Sequence, residues 1–345
     1  MSSRLNPNLR QLSRFNQLLS AKQYVEKIRA GNRVALGQAI TLIESTASVH
    51  QKLAQEIVEL CLPFSGNSKR IGITGSPGVG KSTFIEAIGQ YIIENEQQKV
   101  AVLAIDPSSQ VHRGSILGDK TRMEKLSRLE NAFIRPSPAG ETLGGVARKT
   151  RESIILCEAA NYETILIETV GVGQSEIAVH SMVDCFLLLL LPGAGDELQG
   201  IKRGIVEMAD FVIINKAEEE RRALAKSTKK SYRNALHLFP IKDSDWTSAI
   251  HAISALQQIG LEKLWKDIER YFQHVIANNY LEQHRNEQAT YWLHESIESG
   301  LKNWFYNDRL IQEKLQLLEQ YVANKSVSPF KAAADLLKNK LKHEE

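Results

Sequence analysis

The stretch Gly72–Thr83, "GITGSPGVGKST", decides how this chain is read. It fills the pattern G-x-x-x-x-G-K-[ST] with Gly75, Gly80, Lys81 and Ser82, directly behind the apolar run "RIGIT" and ahead of the helical "FIEAIGQYI". Glycines let such a loop curl so that its N–H groups point inward at phosphate oxygens, and the following helix N-terminus adds positive potential. Gly75, Ser76, Pro77, Gly78, Val79, Gly80, Lys81, Ser82 and Thr83 are therefore expected to cradle a nucleotide. Lys81 would reach the β- and γ-phosphates, and the Ser82 hydroxyl would ligate Mg²⁺.

Working outward, short apolar runs alternate with helical segments: "RIGIT", "KVAVLAI", "NAFIR", "ETILIE", "DCFLLLLL", "DFVIIN" and "AIHAIS". Near-continuous apolarity means strands covered on both faces. The expected fold is α/β, a P-loop nucleotide-hydrolase domain with a mainly parallel sheet flanked by helices. Helical periodicity before it, in "ALGQAITLIEST" and "QKLAQEIVELCL", marks an N-terminal helical region over 1–66. The nucleotide domain then covers 67–262 and a helical tail 263–345. The tail carries Tyr291, Trp292, Leu293, Trp304, Phe305 and Tyr306 among polar residues. A short tail buries so many aromatics only against other surface, either a second copy of the chain or its own core.

Ligands of parallel sheets gather at the carboxyl ends of strands, where Asp106 and Glu168 stand as further magnesium ligands or as helix caps. Beside Glu168, Gly171 in "TVGVG" can bring an N–H to the γ-phosphate. Asp119, in "GDKTRM", reads equally as site or surface. At the other end, "FVIINKAEEE" (Phe211–Glu220) resembles a guanine-reading loop through Asn215 and Lys216. The acid two residues after Lys216 is Glu218, where Asp is usual. A carboxylate there accepts from guanine N1–H and the 2-amino group, whereas adenine leaves it unpaired, at about 1–3 kcal/mol per lost partner. Glu keeps the chemistry on a side chain one methylene longer, so guanine is expected with weakened discrimination. Ser254, Ala255 and Leu256 follow the last strand, where a backbone N–H meets the guanine 6-oxo group.

The chain has 345 residues, with 43 basic and 40 acidic giving a formal charge of +3. That balance implies neither nucleic acid nor membrane as a partner. The longest apolar run, Phe186–Leu191, is far short of the ~20 residues that cross a bilayer. Three scattered cysteines point to a reducing compartment. The first 25 residues are basic, with no acid before Glu26. They read as a surface helix of a bacterial cytoplasmic protein, on Leu9, Leu12, Phe15, Leu18 and Leu19, or as a transit peptide to the mitochondrial matrix.

Together, "GITGSPGVGKST", "LAIDPSS", "GSILGDKTRM", "RPSPAGETLGGVA", "ETVGVGQSE", "LLLLPGAGDELQGIKRGI" and "ISAL" resemble the methylmalonyl-CoA mutase-associated GTPases, chaperones of adenosylcobalamin enzymes with bacterial members and a human mitochondrial one. The similarity spans nearly the whole chain, and "PGAGDELQGIKRG" is its most specific part. The resemblance implies GTP and GDP as the bound nucleotides, with Asp106, Asp119 and Glu168 around Mg²⁺ or the attacking water. It implies a loop carrying Asp196, Gln199 and Lys202 that couples nucleotide state to an adenosylcobalamin-dependent acyl-CoA mutase, and a homodimer through the helical tail. Cofactor loading and exchange in the mutase would be the function, with slow hydrolysis raised by the partner. No water-orienting Gln directly follows Gly171; Gln174 lies three residues on, and Arg122, Arg148 and Arg203 are candidate charge stabilisers. Glu218 is the departure from the family pattern. Relatives also carry the label of an arginine/ornithine transport kinase. Rival readings are a nickel or zinc metallochaperone, against which lone Cys157 and dispersed histidines weigh, an ATP-using enzyme, and a binding module without hydrolysis.

Overall fold

A computed structural model describes residues 18–105, 123–136, 143–169, 175–194 and 203–342. Three helices come first: α1 (Ala21–Arg29), α2 (Arg33–Glu44) and α3 (Ser48–Cys61). Strands and helices then alternate: β1 (Lys69–Gly75), α4 (Lys81–Asn95), β2 (Val100–Ile105), α5 (Glu124–Ser127), β3 (Ala132–Arg135), α6 (Leu143–Ala159), β4 (Thr164–Thr169), α7 (Ser175–His180), β5 (Cys185–Leu190), α8 (Arg203–Met208), β6 (Phe211–Ile214), α9 (Arg222–Leu236), β7 (Ala249–Ala252) and α10 (Leu261–Ala277). Three more helices follow: α11 (Tyr280–Tyr306), α12 (Arg309–Ala323) and α13 (Pro329–Lys342).

All seven expected strands form, and they make one sheet in the order β3-β2-β4-β1-β5-β6-β7. Every pairing is parallel. The physical reason is the one visible in the sequence: each residue of β2, β4, β5 and β6 is buried, so neither sheet face meets water. On one face, α4 and α10 bring Phe84, Ile88, Leu264, Trp265, Ile268 and Phe272 onto Ile73, Leu187 and Phe211. Beside α9, Tyr232 and Ala225 cover Leu190, Val212 and Ile214. The N-terminal helices pack on one another and on α6.

Two expectations change. Helix α1 starts only at Ala21, where Ser20 accepts from Gln23 N and Gln23 returns a bond to the Ser20 backbone. That capping box stops the helix short of Leu18 and Leu19, so their helical spacing is not used; the preceding residues lie outside those described. The sequence reading closes the nucleotide domain at 262, whereas the first compact unit runs to Arg285 and the second begins at Asn286. Helix α10 belongs to the first unit because its apolar face is part of the sheet's cover. The second unit is helical, and within it Tyr291, Trp304 and Tyr306 are exposed. All three cysteines are free and buried.

Below the sheet's amino-terminal edge lies a buried ionic cluster. The Glu158 carboxylate accepts from Arg70 Nε at 2.9 Å, Arg70 Nη2 at 3.1 Å, Ser68 Oγ at 2.6 Å and Gly66 N at 2.8 Å. Asp184 accepts from Arg70 N at 2.9 Å and from Arg285 Nε at 2.9 Å and Nη2 at 2.6 Å. Removing one member strands a buried charge, which costs about 3–5 kcal/mol. Glu158→Gln is therefore expected to lower the urea midpoint sharply, and an unchanged midpoint would contradict this account of the cluster.

His251 on β7 is buried beside Asp267, 3.2 Å away, yet burial outweighs that carboxylate and takes its pKa down to about 4. The unfolded chain, at the ordinary 6.5, binds the extra proton between those values. Stability should thus fall by roughly 2–3 kcal/mol as pH drops from about 6.5 toward 4. His251→Gln should flatten that slope in unfolding measurements.

Candidate nucleotide site

Because all strands run the same way, the carboxyl ends of β1, β4, β6 and β7 share one edge of the sheet. The central strand β1 ends at Gly75, whose φ is +152°; a Cβ there would sit 2.5 Å from the Leu189 carbonyl oxygen, so only glycine fits. Gly80, at φ +95°, turns the chain into α4, which has no side-chain N-cap. The first N–H groups of α4 are thus free of a cap from the chain itself and face the curl of the loop.

The Lys81 ammonium lies within this curl, donating to Gly75 O at 2.8 Å and Ser76 O at 3.4 Å. Burial pushes its pKa down, with Glu168 and Glu176 acting in the opposite direction. A cation held short of full compensation is suited to an anionic ligand. At the end of β4, Glu168 Oε1 accepts from Ser82 Oγ at 3.3 Å. A hydroxyl beside a buried carboxylate is a hard oxygen donor set that fits Mg²⁺.

The loop after β6 is tied to both neighbours. Asn215, buried to 2 % exposure, donates through Nδ2 to Val79 O at 3.0 Å and accepts at Oδ1 from Ala255 N at 3.1 Å. Lys216, in the left-handed region at φ +59°, donates to Gly78 O at 2.8 Å. Glu218 Oε1 accepts from Ser254 Oγ at 2.8 Å, and Ser254 Oγ in turn accepts from Gln257 N at 3.1 Å. Leu256 projects outward. Gly75–Thr83, Glu168, Asn215, Lys216, Glu218 and Ser254–Leu256 are thereby gathered on one sheet edge. Asp106, Asp119, Gly171, Gln174, Arg122, Asp196, Gln199 and Lys202 lie outside the described residues, as does the Arg203 side chain. Arg148 pairs with Glu152 one turn along α6.

The sequence reading passed over Thr74, Thr169 and Glu176. Thr169 Oγ1 donates to Thr74 Oγ1 at 2.9 Å, joining β4 to β1 beneath the loop. Glu176, in the first turn of α7, acts electrostatically on Lys81. Ser254, named in the sequence for its place in the base-end loop, also donates through its side chain to Glu218. A threonine ending each of two apolar runs was the only available signal for the threonine pair.

Comparison with known proteins completes the assignment. The family model described as methylmalonyl Co-A mutase-associated GTPase MeaB matches residues 36–309. The chain belongs to this family. It is 49% identical over 311 residues to a "Putative GTPase" of Caulobacter vibrioides, covering 90% of this chain and 94% of that one. It is 44% identical over 319 residues to the mitochondrial methylmalonic aciduria type A homolog of Mus musculus, covering 89% of this chain and 76% of that protein. Among solved structures it is similar to a LAO/AO transport system kinase, with TM-score 0.73, 34% identity, and coverage of 94% of this chain and 100% of that one. As a member of the MeaB family, the protein is a P-loop GTPase, a hydrolase.

Gly75→Ala is expected to cost roughly 1–3 kcal/mol of stability, since the backbone and the Leu189 carbonyl both resist a Cβ. GTP turnover should fall with it. Wild-type unfolding and turnover in this variant would contradict the described loop geometry.

Proposed function

We propose that this MeaB-family GTPase binds GTP at the edge formed by β1, β4, β6 and β7, and hydrolyses it to GDP and inorganic phosphate. The cycle gates adenosylcobalamin loading into, and cofactor exchange from, a B12-dependent acyl-CoA mutase, with methylmalonyl-CoA mutase as the first candidate. The observation that carries the guanine reading is the Ser254–Glu218 hydrogen bond. It fixes the longer side chain in one conformation, so the carboxylate is preorganised to accept from N1–H and the 2-amino group despite the added methylene. Ala255, placed by Asn215, stands next to where the 6-oxo group would lie.

Inward N–H groups of residues 76–82 and the Lys81 ammonium would take the charge of the β- and γ-phosphates. Ser82 would hold Mg²⁺, with Glu168, Asp106 and Asp119 as its carboxylates; the ion supplies positive charge at the phosphate oxygens. Gly171 would offer its N–H to the γ-phosphate, and Asp119 would serve the attacking water. Asp196, Gln199 and Lys202 would form the segment that senses the mutase. Exposed Tyr291, Trp304 and Tyr306 support a homodimer through the helical tail. Bacterial relatives support a cytoplasmic site of action, and the animal relative's name is that of a mitochondrial protein. No helix among the described residues is long and apolar enough to cross a membrane.

The functional test is GTP hydrolysis with and without purified cobalamin-dependent mutases. Stimulation by one of them is expected, and no stimulation with no co-purification overturns the chaperone role. Lys81→Ala should reduce turnover roughly a hundred-fold or more, the scale for losing one charged contact to the transition state. Turnover at the wild-type rate would remove the phosphate assignment. Glu218→Ala should weaken GTP by about ten- to a hundred-fold while leaving ATP unchanged. An equal loss for both nucleotides would count against base reading by Glu218.

A further inference from the structure

Between Arg221 and Lys242 the chain carries seven cations, Arg221, Arg222, Lys226, Lys229, Lys230, Arg233 and Lys242, and no acid. Outside this segment 36 basic residues face 40 acidic ones, so the excess of positive charge in a chain of net charge +3 comes from this segment. Helix α9 arranges the charge. Ala225, Thr228 and Tyr232 form its buried side, while Arg222, Lys226, Lys230, Arg233 and His237 recur at spacings of three and four along its exposed side. The stripe runs about 22 Å at 1.5 Å per residue. Among the described residues none of Arg222, Lys226, Lys230 or Arg233 pairs with a carboxylate, whereas other exposed arginines and lysines do.

At the helix's carboxyl end the stripe opens on a groove of about 1030 Å³ at the amino-terminal ends of β5, β6 and β7. Arg233 and His237 line it together with Phe239, Ile241 and Trp246. Ile241 and neighbouring Leu238 are 85% and 82% exposed and add apolar surface at the end of the stripe. Cations therefore lead directly to a groove of mixed character, in which Glu207 and Asp243 stand beside the apolar side chains. The buried side of α9 holds the turn before residue 195: Thr228 Oγ1 accepts from Gly193 N at 2.9 Å, and Tyr232 OH donates to Ala194 O at 3.3 Å. Its amino end follows the turn that begins at Glu218. The helix thus touches both the base of the segment carrying Asp196, Gln199 and Lys202 and the base-reading loop.

We propose that the exposed face of α9 and the groove at its end form a docking surface for an acidic protein segment that carries an apolar side chain. The acidic groups lie along the cationic stripe and the apolar side chain enters beside Ile241 and Trp246. A uniformly anionic polymer or lipid surface fits less well, because Glu207 and Asp243 line the groove at the stripe's end beside Ile241 and Trp246, where a further negative charge is repelled and an apolar side chain is accommodated. The inference rests on the proposed role in that it takes the mutase to be the protein bearing this segment, and it gives partner stimulation a physical route through α9.

The test uses the full chain and two probes: a cobalamin-dependent mutase, and a synthetic Glu/Asp peptide of about eight residues ending in Trp, long enough when extended to span the stripe. Lys226→Gln/Lys230→Gln/Arg233→Gln removes three charges from the face. Lys22→Gln/Lys27→Gln/Lys52→Gln removes three exposed charges from α1 and α3 as the control. Both probes should bind wild type and control alike, lose roughly ten-fold or more in affinity with the α9 variant, and weaken with salt. Intrinsic GTP turnover should stay unchanged in both variants. Peptide binding that α9 controls, with no mutase binding, would sink the proposed function and leave the surface standing. Mutase binding unaffected by the α9 variant, equal loss in the control, or tighter binding of duplex DNA or phosphatidylserine vesicles than of the peptide would each overturn the docking surface.

Discussion

One buried carboxamide holds the candidate site together. Asn215 donates to the phosphate loop at Val79 and accepts from the loop after β7 at Ala255, so three loops share one hydrogen-bonded centre. Val79 and Ala255 anchor two of these loops in the core, and the shared amide ties the loops to one another. Gly80 shows how tight the junction is: a Cβ there would lie 2.9 Å from Asn215 Nδ2. The glycine-rich loop therefore serves the base end as well as the phosphates.

The parallel sheet is what allows such a centre to exist. Parallel order places the carboxyl ends of β1, β4, β6 and β7 on one edge, and full burial of the inner strands makes that edge rigid. The same order places the amino-terminal ends on the opposite edge, where Asp184, Glu158, Arg70 and Arg285 bind the linker before β1 to the root of α11. Helix α9 spans the height of the sheet between the two edges and offers its cations to solvent throughout. Glu218 fits into this scheme because Ser254 Oγ holds its carboxylate.

Much of this was legible in the sequence. Continuous apolar runs such as "ETILIE" and "DCFLLLLL" can only be strands covered on both faces, and all seven strands followed from that criterion. The phosphate loop was legible because its glycines are required by backbone geometry, as Gly75 against Leu189 demonstrates. Less visible were features that depend on distance in space. The amphipathic pattern of α10 says that one side is buried but not against what, so the domain boundary was set before that helix, not at Arg285. The Ser20 capping box competes with the apolar spacing of Leu18 and Leu19, and local hydrogen bonds decided the outcome. Thr74 with Thr169, and Ser254 with Glu218, lie 95 and 36 residues apart; no local rule pairs them.

The account's central claim is that Asn215 organises the phosphate and base loops into a single guanine-nucleotide site. Titration calorimetry of GDP with Mg²⁺ on the wild type and on Asn215→Ala measures this directly. One GDP per chain is predicted for the wild type, with affinity lower by roughly ten-fold or more in the variant, while the folded state persists. Equal affinity in the two proteins, or no GDP binding by the wild type, would contradict it.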